Sequence, residues 1–152
     1  YNRCTETRLV AVSQAYISSY SGNTPQPISG GLIPIKYNAD RINGVGIVHL
    51  GGASDPIFQV TNGGNYLVTW SMIVNTNGDG NDAFSIDIEV NGGTISPSPM
   101  AAGEIVTNLN SSFSGSILVP LNAGDQIQLM CSSTTGGSFV TDPTWSMSLI
   151  SP

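Results

Sequence analysis

Short runs in which apolar and polar residues alternate, each ended by Gly, Asn, Asp or Pro, constrain this chain more than any other feature. Such alternation places successive side chains on opposite faces of a strand. Apolar positions with helical spacing never persist over ten residues without a Gly, a Pro or a β-branched cluster. About ten strands separated by turn residues are typical of an antiparallel sandwich or barrel. We therefore predict an all-β domain without helices.

The clearest predicted strand covers residues 65–75. One face carries Tyr66, Val68, Trp70, Met72 and Val74. The other face also carries apolar side chains, so we expect this strand at the centre of a sheet with both sides partly covered. The remaining strands are predicted at 8–19, 45–50, 57–60, 84–90, 105–109, 113–121, 126–132, 138–141 and 144–151, with an edge strand broken by Pro34 at 32–37.

The charge of the chain excludes two classes of partner. Four Lys and Arg residues against ten Asp and Glu residues give a net charge of −6. Arg3, Arg8, Lys36 and Arg41 are too few and too scattered to bind nucleic acid or an anionic membrane surface. Only 9% of the residues are charged, and Ser, Thr, Asn and Gly are abundant. This composition favours an exported or surface-exposed β protein.

The two cysteines lie in different surroundings. Cys131 ends an alternating apolar run, which favours a buried free thiol, and an intrachain bridge to Cys4 is the alternative. Cys4 belongs to a polar N-terminal arm, residues 1–7, that precedes a predicted domain at 8–152. A thiol there can form an interchain disulfide with a neighbouring copy. Two cysteines and one histidine cannot build a four-ligand zinc site.

The sequence offers few groups suited to catalysis. His49 is the only histidine, and no Gly-x-Ser-x-Gly elbow is present, so we predict a structural role for His49. Asp87 and Glu89 share a strand face and could act as a glycosidase pair, but the alternation favours a solvated face. We predict that the protein is not an enzyme.

One polar loop is a candidate metal site. Asn77–Asp82 is rich in oxygen ligands and in glycine, which suits calcium, with Asp79 and Asp82 as the candidate ligands. The alternative is a simple hairpin turn. No other cofactor is predicted.

Four segments resemble, in chain order, parts of the C1q-like and tumour-necrosis-factor-like jelly rolls. They are a Val-x-x-x-Gly-x-Tyr pattern at 58–70, a strand and Asn-Gly hairpin at 82–93, a Ser-Gly to Gly-Asp hairpin at 112–129, and a closing strand at 146–151. The first strand, ending in Tyr16, also fits, whereas residues 21–54 match poorly. The resemblance implies a jelly-roll sandwich, a tight homotrimer and a non-enzymatic head that assembles, anchors or binds.

Within this family, the low charge looks most like the heads of bacterial collagen-like spore-surface (exosporium) glycoproteins and related fibre proteins. No collagen-type Gly-X-Y repeat is present in the chain. We expect an extracellular location or a cell, spore or virion surface. Two functions remain open at this point. One is a structural trimer of a surface layer, spore coat or fibre. The other is a receptor- or carbohydrate-binding head of a phage or viral fibre, with a pocket near Asn77–Asp82 or Ser96–Met100.

The apolar content supports self-association independently. Two Trp, five Tyr and a central strand that is apolar on both faces exceed what one small sandwich easily hides. We predict Tyr16, Tyr66, Trp70 and Trp145 at the trimer interface. The alternative is that the two tryptophans fill the core of one subunit.

Overall fold

Thirteen β-strands and no helix form the described part of the chain, and this confirms the all-β prediction. The computed structural model describes residues 15–22, 24–28, 30–51, 55–76, 82–95, 99–106, 109–134 and 137–152. In chain order the strands are Tyr16–Tyr20 (β1), Gln26–Ile28 (β2), Ile33–Pro34 (β3), Ala39–Asn43 (β4), Ile47–His49 (β5), Phe58–Val60 (β6), Gly64–Thr76 (β7), Asp82–Val90 (β8), Gly93–Thr94 (β9), Ala101–Ile105 (β10), Asn110–Leu121 (β11), Gln126–Ser133 (β12) and Ser138–Ser151 (β13). No membrane-spanning helix was found in these ranges.

The strands form two antiparallel sheets. The first has the order β11-β7-β13-β1-β4, with β2 also paired to β13. The second has the order β10-β8-β12-β6-β5, with β3 paired to β12 and β9 paired to β8. Buried side chains from both sheets form one hydrophobic cluster, so the two sheets pack as a sandwich.

Strand β7 is an interior strand of the first sheet, as the sequence predicts, although it lies second from the β11 edge and not in the middle. It pairs with β11 on one side and with β13 on the other. Its predicted inner face is buried throughout, and Trp70, at 4% exposure, is the most accessible of those five side chains. Leu67 on the opposite face is 37% exposed. The alternation of the sequence therefore matches the two faces of the strand.

Aromatic rings occupy the centre of the sandwich. Trp145 stacks on Phe58 with ring centroids 5.4 Å apart, and Tyr37 packs 5.5 Å from the same phenyl ring. Tyr66 and Trp145 are 0% and 1% exposed in the single chain. A side chain that its own subunit covers has no apolar area left to bury against another copy. The interface prediction is therefore wrong for Tyr66 and Trp145, which fill the core instead. Trp70 is also buried, but its indole lines a surface cleft, so its place at an interface stays a prediction.

Several strand boundaries differ from the predicted ones. The strand expected at 105–109 lies earlier, at β10, whose Ala-Ala-Gly-Glu sequence lacks apolar alternation. The predicted strands 138–141 and 144–151 form one strand, β13, with a bulge between Thr141 and Thr144. Asp142 in this bulge has a φ of 49°, which interrupts the alternation that defines a strand in the sequence.

Candidate functional site

The outer surface of the first sheet combines small hydroxyl side chains with a few apolar ones and carries no charge. We call this surface the uncharged face; it consists of Tyr16, Ser18, Tyr20, Leu67, Thr69, Ser71, Ser114, Ser116, Leu118, Thr144, Ser146 and Ser148. Strand register aligns them in three rows that cross β11, β7, β13 and β1. These four strands contain no Lys, Arg, Glu or His, and their single acid, Asp142, lies in the bulge. A sheet face exposed to water normally carries charged side chains, and this one does not.

The hydroxyl groups at the centre of the uncharged face bond to each other. Ser71 Oγ lies 2.7 Å from Thr144 Oγ1, and Thr69 Oγ1 bonds to Ser146 Oγ in the next row. Hydroxyl groups that already have a partner lose less on leaving water than free ones. The centre of these two rows, between β7 and β13, can therefore be covered by another surface at small cost.

The apolar members of the uncharged face lie in one row. Leu118 pairs directly with Leu67 across β11 and β7, and the two are 56% and 37% exposed. Tyr16 ends the same row and is half-buried, and its predicted position at the trimer interface stays a prediction. At the β4 border the guanidinium of Arg41 lies 4.6 Å above the Tyr20 ring, where charged groups begin.

A second apolar surface lies where the two sheets meet at β10 and β11. We call it the apolar edge; it consists of Met100, Val106, Leu109, Phe113 and Ile117. Val106 and Leu109, in the connection between the two strands, are 52% and 55% exposed. In the part of the chain that the structure describes, β11 pairs with β7 alone, so its outer edge is open. An open and uncharged edge strand is usually protected by another element or by a partner.

A cleft of about 180 Å³ opens within this edge over the indole of Trp70. Its other lining residues are Met100, Gly115, Ser116 and Ile117. A Cβ atom on Gly115 would lie 2.5 Å from Cζ2 of Trp70. Because glycine has no Cβ, position 115 leaves room for the indole ring that borders the cleft.

His49 is held on both ring nitrogens. Nδ1 lies 2.9 Å from Asp40 Oδ1, and Nε2 lies 2.7 Å from the carbonyl oxygen of Asp55. The ring also stacks on Phe58 at 4.5 Å. Ser19 donates its hydroxyl to the same Asp40 oxygen, not to the imidazole. A nucleophilic serine needs the histidine as its proton acceptor, so this arrangement of serine, aspartate and histidine is a structural clamp between β1, β4 and β5.

Of the two predicted calcium ligands, only Asp82 lies in the part of the chain that the structure describes. Asp79 lies outside the described residues. Asp82 is 0% exposed and its carboxylate accepts hydrogen bonds from Thr134 N and Thr134 Oγ1, both at 2.9 Å, and from Ser138 Oγ. Both carboxylate oxygens of Asp82 thus join the start of β8 to Thr134, directly after β12, and to the start of β13. Calcium binding by Asp79 and Asp82 stays a prediction. The described ranges contain no group of three or more His, Cys, Asp or Glu residues that could hold a metal ion.

The carboxylate pair on β8 does not form a solvated face. Asp87 is only 4% exposed, which makes that prediction wrong for this residue. Glu89 is half-buried and accepts a hydrogen bond of 2.9 Å from Gln128 Nε2. Strand β8 is an interior strand of the second sheet, paired with β10 and β12.

Cys131 is a free thiol and is fully buried, as the sequence predicts. Burial raises the pKa of its thiol to about 12, so the unreactive protonated form persists at neutral pH. Cys4 and the N-terminal arm, residues 1–7, lie outside the described residues. The interchain disulfide through Cys4 stays a prediction.

Sequence reasoning missed the uncharged face as a unit, although a signal for it was present. Ser112, Ser114 and Ser116 alternate along one strand, and Ser146 and Ser148 alternate along another. Only strand order shows that these serines and Thr69 are neighbours. Serine is common in loops, so its alternation is easily overlooked.

Comparison with solved structures shows a C1q- and tumour-necrosis-factor-like jelly-roll fold. The globular domain of zebrafish complement 1qA protein is similar with a TM-score of 0.57 and 12% identity, covering 90% of this chain and 97% of that domain. Murine APRIL at pH 5.0 gives a TM-score of 0.55 and 13% identity, covering 89% and 99% of the two chains. No family model matches the sequence, and no curated protein matches it. At these identities the likeness establishes the fold alone.

Proposed function

We propose that this protein is a non-enzymatic structural subunit, a jelly-roll that assembles as a homotrimer to build or tip a surface layer, spore coat or fibre outside the cell. The observation that carries the proposal is the uncharged face. It extends across four of the six strands of the first sheet and lacks the charged groups that keep a surface in water. The hydroxyl groups at its centre, on β7 and β13, are paired within the subunit.

Burial of this face accounts for its composition. Leu67 and Leu118 expose apolar area that contributes about 25 cal/mol for each Å² removed from water. Small serine side chains allow close approach and lose little rotamer entropy when they are covered. Charged side chains are depleted at the centre of protein interfaces, because they are long, lose more rotamer entropy and are costly to remove from water. The face therefore has the chemistry of an interface.

Two different unpartnered surfaces on one subunit favour a ring. If the uncharged face of one copy packs on the apolar edge of the next, the contact is heterologous, and such contacts form a closed ring when the rotation between copies allows it. The resemblance of the sequence to C1q-like and tumour-necrosis-factor-like domains supports three copies. The sequence resemblance to exosporium heads and the low charge, 9% of residues, support an extracellular surface as the location. Further copies in a layer or fibre would be linked through the arm that carries Cys4.

Light scattering coupled to size-exclusion chromatography tests the proposal. The purified chain should elute with about three times the subunit mass of 15.8 kDa. Leu118→Glu should dissociate the trimer, because each contact loses the burial of a leucine, about 1.5–3 kcal/mol, and gains a buried charge.

Val48→Glu is the matched control. Val48 is 44% exposed on β5 of the second sheet, away from both surfaces. This variant should remain trimeric. A monomeric wild-type chain at micromolar concentration, or equal dissociation by both variants, would refute the assignment of the uncharged face.

A second candidate function is favoured by one observation. The cleft over Trp70 is bordered by Met100, the end of the loop that the sequence predicts as a ligand pocket, and it has an aromatic floor. This arrangement suits a receptor- or carbohydrate-binding head of a phage or viral fibre. The two functions differ in what covers the cleft, since a neighbouring copy would cover it in the trimer proposed above. Saturable glycan binding by the wild-type chain that Trp70→Phe removes would favour the binding head.

A further inference from the structure

A second cleft, on the opposite side of the sandwich from the apolar edge, has the properties of a preformed ligand site. It has a volume of about 240 Å³ and lies between β2, which belongs to the first sheet, and β3, which belongs to the second. Seven residues line it: Pro25, Gln26, Pro27, Ile33, Pro34, Ile35 and Lys36. Five of these seven are proline or isoleucine, so the surface offered to a ligand is mainly apolar.

The walls of this proline cleft are rigid before any ligand arrives. Each proline ring fixes its own φ angle, so the walls lose little conformational entropy on binding. The floor is anchored to the core, because Ile35 is 1% exposed and its backbone N–H donates to the Leu129 carbonyl at 2.9 Å. The cleft therefore does not need to rearrange to accept a guest.

The position of Lys36 is fixed by a side chain from the other wall. Gln26 Nε2 donates to the Lys36 carbonyl at 2.7 Å, and the Lys36 N–H donates to Gln26 Oε1 at 2.8 Å. These two bonds join the walls and hold the Cα atom of Lys36 at the rim. The side chain of Lys36 is exposed, and no acidic partner for it occurs within the described ranges.

The charge of the chain restricts what the cleft can take. Lys36 is one of four cations in a chain of net charge −6, so the overall field repels anions, and more strongly those with two charges. A single carboxylate finds local attraction at Lys36, and the apolar walls accept a ring or a branched alkyl group. Prolines also lack an N–H donor, so Lys36 is the main group available to orient a polar end.

We propose that the proline cleft binds a small amphipathic monocarboxylate, in which an aromatic or branched aliphatic group contacts the proline and isoleucine walls and the carboxylate pairs with Lys36. The site goes beyond the proposed structural role and does not depend on it, since none of its lining residues belongs to the uncharged face or the apolar edge.

The experiment is a titration of the full chain with 3-phenylpropionate, followed by ¹H–¹⁵N correlation spectra. The amides of Gln26, Ile33, Ile35 and Lys36 are the reporters, because the prolines have none. We expect saturable shifts confined to these amides, with a dissociation constant on the order of 1 mM for so small a ligand. Binding should weaken as salt is added, because the charge pair is exposed.

Two reference ligands separate the parts of the site. 3-Phenylpropan-1-ol has the ring without the charge, and acetate has the charge without the ring. Both should bind more weakly than 3-phenylpropionate. If the alcohol binds equally well, the cleft does not select a carboxylate, and if acetate binds equally well, the walls do not contribute. Either result overturns the proposal. The absence of shifts at a 3-phenylpropionate concentration about 20-fold above the expected dissociation constant also overturns it.

Two charge variants test whether Lys36 is the cation that pairs with the carboxylate of the ligand. Lys36→Gln should weaken binding about threefold to fivefold, the value of one exposed ion pair. Arg41→Gln removes an equal charge from the rim of the uncharged face and should leave the constant unchanged. Equal weakening by both variants would show a general charge effect and would contradict a specific site at Lys36.

Discussion

Replacing Tyr37 by Phe should stabilise the protein, although the side chain lies at the centre of the core. Tyr37 is 0% exposed, and its hydroxyl has no hydrogen-bond partner among the described residues. Burial raises the pKa of this hydroxyl well above its usual value, which shows how strongly the surroundings oppose charge. The ring itself packs against Phe58 and Trp145 at 5.5 and 6.3 Å, and phenylalanine keeps both contacts.

The magnitude follows from the hydroxyl alone. A buried donor without a partner costs about 1–3 kcal/mol relative to water. Tyr37→Phe removes this cost, so the free energy of unfolding should rise by about 1–2 kcal/mol. For a chain of about 150 residues this corresponds to about 2–4 °C in melting temperature for each kcal/mol.

Tyr66→Phe is the matched control. Tyr66 is also 0% exposed, but its hydroxyl donates to the Asn62 carbonyl at 2.7 Å. The same atom deletion should therefore destabilise the protein, by about 0.5–1.5 kcal/mol. Urea unfolding of both variants at one protein concentration measures the difference, because self-association makes stability concentration-dependent. If Tyr37→Phe destabilises as much as Tyr66→Phe, the hydroxyl has a partner and the reasoning fails.

Three further predictions concern single groups. Gly115→Ala should lower the free energy of unfolding by about 1–3 kcal/mol in urea titrations, because the new Cβ would lie 2.5 Å from the Trp70 ring; an unchanged midpoint would contradict this. Hydrogen bonds from the Asn91 side chain and the Asn122 backbone lower the pKa of Asp125 below its ordinary value of 3.8. The ionised carboxylate therefore stabilises the folded state above that pH, and this stabilisation is lost as the pH falls through the lowered pKa. The stability difference between wild type and Asp125→Asn should accordingly shrink between pH 5 and pH 2, and a constant difference would exclude this linkage. Burial raises the pKa of the Cys131 thiol to about 12, so this thiol should react with Ellman's reagent at pH 8 only after the protein unfolds. The Cys4→Ser variant removes the other thiol and is the protein to measure. Rapid reaction of its native form would mean that Cys131 is accessible.

Local alternation was sufficient to predict the all-β class and the interior position of β7 in its sheet. The inner face of β7 is buried at every position from Tyr66 to Val74 that the pattern indicates. Alternation with period two has only one physical solution, a strand with one dry face, so no tertiary knowledge is needed. The pattern failed at β10, whose Ala and Gly residues carry no signal, and at Asp142, where a bulge divides one strand into two apparent ones.

The candidate site could be predicted only in part. Tyr16 lies on the uncharged face, and its place at an interface stays a prediction. Trp70 and Trp145 are predicted at an interface because large aromatic residues are typical of both cores and interfaces. Their burial depends on the second sheet, which supplies Phe58 against Trp145. Burial of Asp82 and Asp87 was missed for the same reason, because a polar residue's partners on other strands are not visible in its own strand.

By itself, the sequence determined that this chain forms strands, that its net charge is −6, and that Cys131 is buried, since each depends on composition or on neighbours within a few residues. The tertiary structure alone decided that serines and threonines from four strands form one uncharged face, and that Gln26 and Lys36 join the walls of the proline cleft. The physical reason is that strand order brings together residues far apart in the chain. A surface is a property of that order, whereas a strand is a property of its own residues.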